Sequence, residues 1–181
     1  MKLLDYLTTS QIGTLHHLGG QRNARRVIES MSDYLGCFRD RENVYYLNKA
    51  GREYIGSDTV RQKLAEVDHY LMRNDLYIKR RPESFDTEQR IKTGEITIVC
   101  DAIMQCNSTR YLVEIDNTQS MTKNVQKIEK YKKLKDLGVF QKQFGYFPRI
   151  FWVCTSEARR KNLTDACVGL ETVIHTWDEI K

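Results

Sequence analysis

The stretch from Val99 to Tyr131, VCDAIMQCNSTRYLVEIDNTQSMTKNVQKIEKY, constrains the fold of this chain most. It reads as two strands joined by a short turn at Cys106, Asn107, Ser108 and Thr109, followed by a lysine-rich helix. Positions 101 and 114 are symmetric about that turn, so an unbulged antiparallel hairpin sets Asp101 opposite Glu114 with both side chains on one face. The alternation agrees: Tyr111, Val113 and Ile115 form one apolar face, and Arg110, Leu112, Glu114 and Asp116 form the other. Three carboxylates are then expected to crowd one side of a buried hairpin. Such crowding is costly unless protons, cations or a metal compensate it, which makes the hairpin the first place to look for chemistry.

The 181 residues suffice for one medium domain or two small ones, and 40% hydrophobic residues supply an ordinary core. A net charge of +5 favours an acidic partner such as nucleic acid. The five cysteines, 37, 100, 106, 154 and 167, form no CxxC pair, and three lie in apolar strand-like runs. They read as reduced core thiols rather than disulfides or metal ligands. The opening MKLLDYLTTSQ has too short an apolar run, with an acid inside it, for a signal peptide, and no stretch is long enough to span a bilayer. A cytoplasmic protein without membrane association is expected.

Met1 to Gly56 reads as helix, helix, turn, longer helix and hairpin. Leu3, Leu4 and Leu7 make a short apolar stripe, and Thr8, Thr9 and Ser10 offer caps for a second helix carrying Ile12 and Leu15. After Gly19-Gly20, a helix from Gln21 to about Leu35 places Ala24, Val27, Ile28, Met31 and Leu35 inward and concentrates Arg22, Arg25 and Arg26 in its first turns. That is where the recognition helix of a helix-turn-helix meets DNA, with Asn23 as a further polar contact. Cys37 to Asn48 reads as a two-stranded wing with Arg39 and Arg41 near its tip, facing phosphates, and Asn48 caps a short helix behind it. The order matches a winged helix, a module that serves DNA or protein binding.

Gly56-Ser57-Asp58 reads as a domain boundary, giving a winged-helix domain at 1–56 and an α/β domain at 57–181. A long helix is expected from Thr59 to about Asp75 on the stripe Val60, Leu64, Val67, Leu71 and Leu76. Strand signals resume at Ile91. After the hairpin, Ser120 or Thr122 caps a helix to about Leu137, with Val125, Ile128, Tyr131 and Leu134 inward and six lysines filling most of the rest. Arg149 to Thr155 reads as a buried strand, Ser156 caps another helix, and Leu170 to Thr176 is a last strand. The fold class expected is α+β, with a mixed sheet flanked by helices in the second half.

An aspartate in one hairpin strand and Glu114-Ile115-Asp116 in the next, followed by a crossover helix and a strand, resembles the restriction-endonuclease-like PD-(D/E)xK fold over the last two thirds of the chain. The segments YYLNKAGREYI, HYLMRNDL, CDA, LVEIDNTQS and KIEKY, in that order, make the whole chain resemble the replication-relaxation family of plasmid and mobile-element proteins. The first resemblance implies that Asp101 and Glu114 are metal-binding acids, with Mg²⁺ or Mn²⁺ as cofactor if the site is active. Cys100 stands where a proline precedes the aspartate, and Asp116 stands where active members place a lysine. A carboxylate cannot stabilise the developing phosphorane charge as that lysine does. Lys127, on the following helix, is the candidate for a migrated ammonium, and Glu83 or Glu88 for a further acid.

The expectation for function is DNA binding in plasmid replication, mobilisation or transcriptional regulation, through Arg22, Asn23, Arg25, Arg26, Arg39 and Arg41, with a nuclease-like second domain lacking catalysis. The alternatives are a metal-dependent DNA endonuclease using Asp101, Glu114, Asp116 and Lys127, and an adaptor acting on host machinery. The expected partners are double-stranded DNA, replication or mobilisation proteins, and a second copy of the chain.

Overall fold

The protein is a mixed α and β chain in two units, Met1–Ile78 and Lys79–Lys181. This computed structural model describes residues 1–64 and 66–181. No described helix is long and apolar enough to cross a membrane.

The first unit begins with strand β1 (Leu7–Thr8) and helices α1 (Thr9–Leu15) and α2 (Gln21–Glu29). A single 3-10 turn at Ser32–Tyr34 leads into strands β2 (Leu35–Arg39) and β3 (Asn43–Leu47), then helix α3 (Lys49–Ile55). The three strands form an antiparallel sheet in the order β1-β3-β2. Thr8 and Gln11 form a capping box: the Thr8 hydroxyl accepts from the Gln11 N–H, and the Gln11 side chain accepts from the Thr8 N–H, each at 3.1 Å. Such caps contribute about 1 kcal/mol. Asn48 caps α3 by accepting the Gly51 N–H at 2.9 Å, and Gly56 closes it in the left-handed region at φ 63°.

Three expected features of this half differ. No helix forms on Leu3, Leu4 and Leu7, because Asp5 is left-handed at φ 60° and Leu7–Thr8 pairs with Tyr45 and Val44 instead. The α2 helix stops at Glu29 rather than Leu35. Ser30 turns its hydroxyl back onto the Val27 carbonyl at 2.7 Å, and the Ser-Met-Ser-Asp run that follows competes with helical hydrogen bonding. Nor does a helix start at Thr59: residues 57–64 carry no regular structure, Ala65 lies outside the described residues, and helix α4 runs Asp68–Arg80. Val67, Leu71 and Leu76 are buried as their spacing predicts, whereas Val60 and Leu64 are exposed. The Gln62 carbonyl there accepts from the Tyr6 hydroxyl at 2.8 Å.

Residues 57–78 therefore belong with the first unit, and the division falls at 78/79 rather than at 56/57. Fully buried Asn74 donates to the carbonyls of Leu4 (2.8 Å) and Tyr6 (2.5 Å). Gln11 donates to the Leu71 carbonyl and the Asp75 carboxylate, and Asp5 pairs with both Arg61 and Arg73 at 3.0 Å. These partners lie more than fifty residues apart in sequence, so no local pattern announces them.

The second unit contains strands β4 (Ser84–Thr93), β5 (Ile96–Cys106) and β6 (Thr109–Asp116), helices α5 (Met121–Asp136) and α6 (Val139–Phe144), strand β7 (Arg149–Cys154), helix α7 (Glu157–Ala166), strand β8 (Thr172–Thr176) and a last turn of helix, α8 (Trp177–Ile180). The sheet order is β4-β5-β6-β7-β8; the first three strands are antiparallel to one another, and β6, β7 and β8 are parallel. The β5–β6 turn has Asn107 and Ser108 at φ 49° and 61°, the two positive values that a two-residue hairpin turn requires. Leu112, Ile128, Tyr131, Leu134, Trp152 and Leu163 meet in one core between the sheet and α5 and α7. Helix α5 thus presents one apolar side to β6, and Glu114 meets the helix there.

Candidate functional site

Glu114 and Asp116 project from β6 toward α5 and α7 and are almost fully buried. Lys127, at the second turn of α5, donates to Glu114 Oε2, and Tyr131, one turn later, donates to Oε1 at 2.5 Å. The i, i+4 spacing of Lys127 and Tyr131 puts both donors on one side of the helix. Asp116 is held differently. Arg159 of α7 grips it with two donors, Nε to Oδ2 and Nη2 to Oδ1, both at 2.5 Å, and Asn124 adds a third to Oδ1 at 2.8 Å. The same Arg159 also donates to the Gln119 carbonyl, so one side chain joins β6, the loop after it and α7.

Asp101 occupies a break in the ladder. Pairing between β5 and β6 runs from Cys106↔Thr109 to Ala102↔Val113, the register that sets position 101 against 114. Beyond that last pair, Asp101 Oδ2 accepts the Ile115 N–H at 2.7 Å, a side chain taking a backbone donor. Across the β4–β5 ladder, Glu88 is left-handed at φ 53° in the register position of Asp101. Glu114 is held by Lys127 and Tyr131 and Asp116 by Arg159 and Asn124, while Asp101 accepts a backbone amide and lies close enough for its charge to act on Glu114.

Burial pushes the Glu114 carboxyl up to about 8, against the pull of the Lys127 ammonium; the Asp101 charge adds to the rise. Burial likewise raises Tyr131, with the Glu114 charge as the next cause, and pushes the neighbouring Cys100 thiol up to about 12. Tyr131 and Cys100 therefore stay protonated, neither a base nor a nucleophile. Both Glu114 oxygens already accept from protein donors. Among the described residues no group of three or more His, Cys, Asp or Glu side chains could hold a metal ion. As arranged, the donor set does not fit Mg²⁺ or Mn²⁺, since a cation at Glu114 must displace the lysine.

A second feature lies on the first unit. Arg22, Arg25 and Arg26 of α2 are exposed and line an open depression with Gly20, Asn23 and Glu29. Asn23 is partly turned inward, its amide donating to the Leu18 carbonyl at 2.9 Å, while its oxygen accepts from Arg26 at 3.1 Å. In the β2–β3 hairpin Arg39 sits 3.4 Å from Asn43 Oδ1, and Arg41 is paired with Asp68 and, at 3.5 Å, with Asp40. The guanidinium of Arg41 is thus already engaged.

Sequence reasoning named Glu114, Asp116 and Lys127, and the structure brings Glu114 and Lys127 together. It missed Tyr131 as a polar partner, although KIEKY holds it four residues after Lys127. It also missed Arg159, for which ARRKN carried no signal, because the contact with Asp116 spans 43 residues. Arg110, which alternation puts on the same strand face as Glu114 and Asp116, lies over the Phe144 ring at 4.1 Å.

No curated protein matches the chain in sequence. Two solved structures are similar. VC1899 from Vibrio cholerae has 12% identity and a TM-score of 0.38, covering 96% of this chain and 48% of its own. Can2 from Sulfobacillus thermosulfidooxidans, in complex with cyclic tetra-adenylate, has 8% identity and a TM-score of 0.38, covering 95% and 47%. The chain thus spans about half the length of either protein. The replication-relaxation family matches residues 2–150, most of the chain, including the Asp5 network, α2, the β5–β6 hairpin and α5. The chain belongs to the replication-relaxation family.

Proposed function

We propose that this protein binds double-stranded DNA in plasmid or mobile-element replication, mobilisation or transcriptional regulation, the first two being roles that membership of the replication-relaxation family suggests. The observation that carries the reading is the exposed triplet Arg22, Arg25 and Arg26 on α2, ahead of the β2–β3 hairpin. In this reading the first unit is a winged helix: α2 enters the major groove, Asn23 braces Arg26, and Arg39 on the hairpin meets the backbone. The second unit is a PD-(D/E)xK-like domain that has lost catalysis. Lys127 supplies the positive charge at Glu114, and Arg159 supplies it at Asp116. Replacing Arg22, Arg25 and Arg26 with alanine is expected to lower duplex affinity at least about tenfold, each lost phosphate contact removing counterion release. Unchanged affinity in a folded variant would contradict it.

The endonuclease reading is supported by the placement of Lys127 against Glu114, an ammonium beside an acid on a central strand. It requires Lys127 to leave Glu114 before a cation can enter. Incubation of supercoiled plasmid with Mn²⁺ tests it: cleavage abolished by Asp101→Ala and Glu114→Ala supports the enzyme, and no cleavage supports the DNA-binding reading alone.

A further inference from the structure

Arg22, Arg25 and Arg26 share one face of α2, but the structure holds them differently. Arg26 Nη2 donates to Asn23 Oδ1 at 3.1 Å, one turn back along the helix. Arg25 sits 3.5 Å from Gln21 Oε1, at the outer limit of a hydrogen bond. Arg22 makes no side-chain hydrogen bond or ion pair among the described residues. Glu29, the acid of the helix and three residues after Arg26, makes no ion pair among them either. Arg26 therefore turns back to a neutral amide although a carboxylate stands one turn ahead.

Asn23 is itself fixed. Its Nδ2 donates to the Leu18 carbonyl at 2.9 Å, and the Leu18 N–H donates to the Gly13 carbonyl at 2.9 Å, so the grip runs back into α1. Leu18 also packs against the core of the first unit. The two partners decide which way the amide points: the carbonyl requires the NH2 on one side, and the guanidinium requires the oxygen on the other. Asn23 is partly buried, whereas Arg26 is exposed. A long side chain held before its ligand arrives loses less rotamer freedom on binding, and its direction is set in advance. The brace uses one of the five N–H donors of the guanidinium and leaves four, enough for a two-point bond. In duplex DNA, O6 and N7 of guanine lie side by side in the major groove and reward such an aimed fork. A phosphate asks only for nearby charge, which an unbraced arginine supplies as well.

We propose that Arg26 is the base-reading residue of α2, taking guanine in the major groove, and that Asn23 is its positioning residue rather than a DNA contact. Arg22, unbraced, meets the phosphate backbone. The proposal rests on the DNA-binding reading and separates the residue that specifies sequence from the one that supplies affinity alone. Arg26 carries its charge into the same field, so it adds to the salt dependence as well as to the readout.

The test uses the full chain and the duplexes that the wild-type protein enriches from a randomised pool, with affinity measured by fluorescence anisotropy. At one G·C pair of the enriched site, exchange for A·T is expected to weaken wild-type binding about tenfold or more, the discrimination of a two-point arginine contact. Arg26→Lys keeps the charge and loses the fork, so it should bind the two duplexes alike, with a salt slope near wild type. Asn23→Ala should cut the discrimination at that same pair by at least about threefold and leave the salt slope unchanged. Asn23→Asp keeps an acceptor for Arg26 and removes only the donor to Leu18. It should retain the discrimination at lower overall affinity, because it adds a negative charge, and so it separates aiming from a structural loss. Arg22→Ala should weaken binding to both duplexes equally and reduce the slope of log K against log salt by about 0.9.

A full guanine preference in either Arg26→Lys or Asn23→Ala overturns the assignment, and so does its loss in Asn23→Asp. An enriched pool in which no guanine matters, from a protein whose duplex affinity still falls with salt, overturns it too, while the DNA-binding reading stands. If the wild type binds no duplex, both fall.

Discussion

Lys127 reaches from α5 to Glu114, so a residue that sequence comparison with nucleases offers as catalytic is the counterion of the acid it was expected to assist. Glu114 is 2% exposed and Lys127 20%, which makes this a buried pair with one end near water. Without the lysine, Glu114, whose carboxyl burial already pushes up to about 8, takes a proton at neutral pH and keeps its bond with Tyr131. Lys127→Ala is therefore expected to destabilise the protein by less than the roughly 3–5 kcal/mol of an uncompensated buried charge, and the double change with Glu114→Leu by less again. Urea denaturation of the two variants measures this. Equal losses would show that the pair is not coupled.

Asp116 and Arg159 form the second compensated acid. Asp116 is wholly buried, whereas Arg159 keeps a quarter of its side chain exposed and can turn to water when its partner is lost. Asp116→Ala should therefore fall toward the low end of roughly 3–5 kcal/mol. Asp116→Lys, which places the nuclease-type lysine at this position, should fold less well still, because it sets a second cation against Arg159. Thermal melting of both variants tests the order.

In the first unit, Asn74 and Gly51 are tightly constrained positions. Asn74→Ala removes the donor to two carbonyls and is expected to cost about 1–3 kcal/mol for each group left unsatisfied. Gly51→Ala brings a Cβ to 2.2 Å from the Tyr34 carbonyl oxygen, a backbone atom that cannot yield cheaply. An overpacking loss of about 1–3 kcal/mol is expected. Chemical denaturation monitored at the aromatic cluster of Tyr6, Phe38 and Tyr46 reports on this unit.

His175 predicts a pH dependence. Its ring stacks on Phe151 at 5.4 Å and lies 3.4 Å from both Arg80 and Glu179. Burial lowers its pKa below the ordinary 6.5, partly opposed by Glu179 and reinforced by Arg80. The unfolded chain then binds a proton that the folded chain resists, so this contribution to stability is present above 6.5 and is lost as pH falls through the folded value. His175→Phe keeps the stack and removes the titration. Stability should drop between neutral and mildly acidic pH more in the wild type than in the variant, and parallel curves would contradict it.

The legible parts of the fold were local ones. Asn107 and Ser108 announced the hairpin turn, Asn48, Ser120 and Ser156 announced helix starts, and the spacing of Ile128, Tyr131 and Leu134 announced the buried side of α5. The α+β class followed from these. What stayed hidden depends on partners far away in sequence. Leu7–Thr8 is a strand only because β3 is beside it, and residues 57–78 join the first unit only because Asn74, Arg73 and Gln11 find theirs there. The site shows the same division. Alternation predicted Glu114 and Asp116 on one face, but no pattern could tell that Arg159 would take Asp116 or that Asp101 would accept a backbone amide.

The central claim, that this chain binds duplex DNA through fixed cationic surfaces, is tested most directly by the salt dependence of wild-type binding. Arg22, Arg25, Arg26 and Arg39 predict a slope of log K against log salt of about −3 to −4, at about −0.9 per contact. Duplex affinity should fall steeply between about 50 and 200 mM salt. A slope near zero, or no binding at the lower concentration, would contradict it.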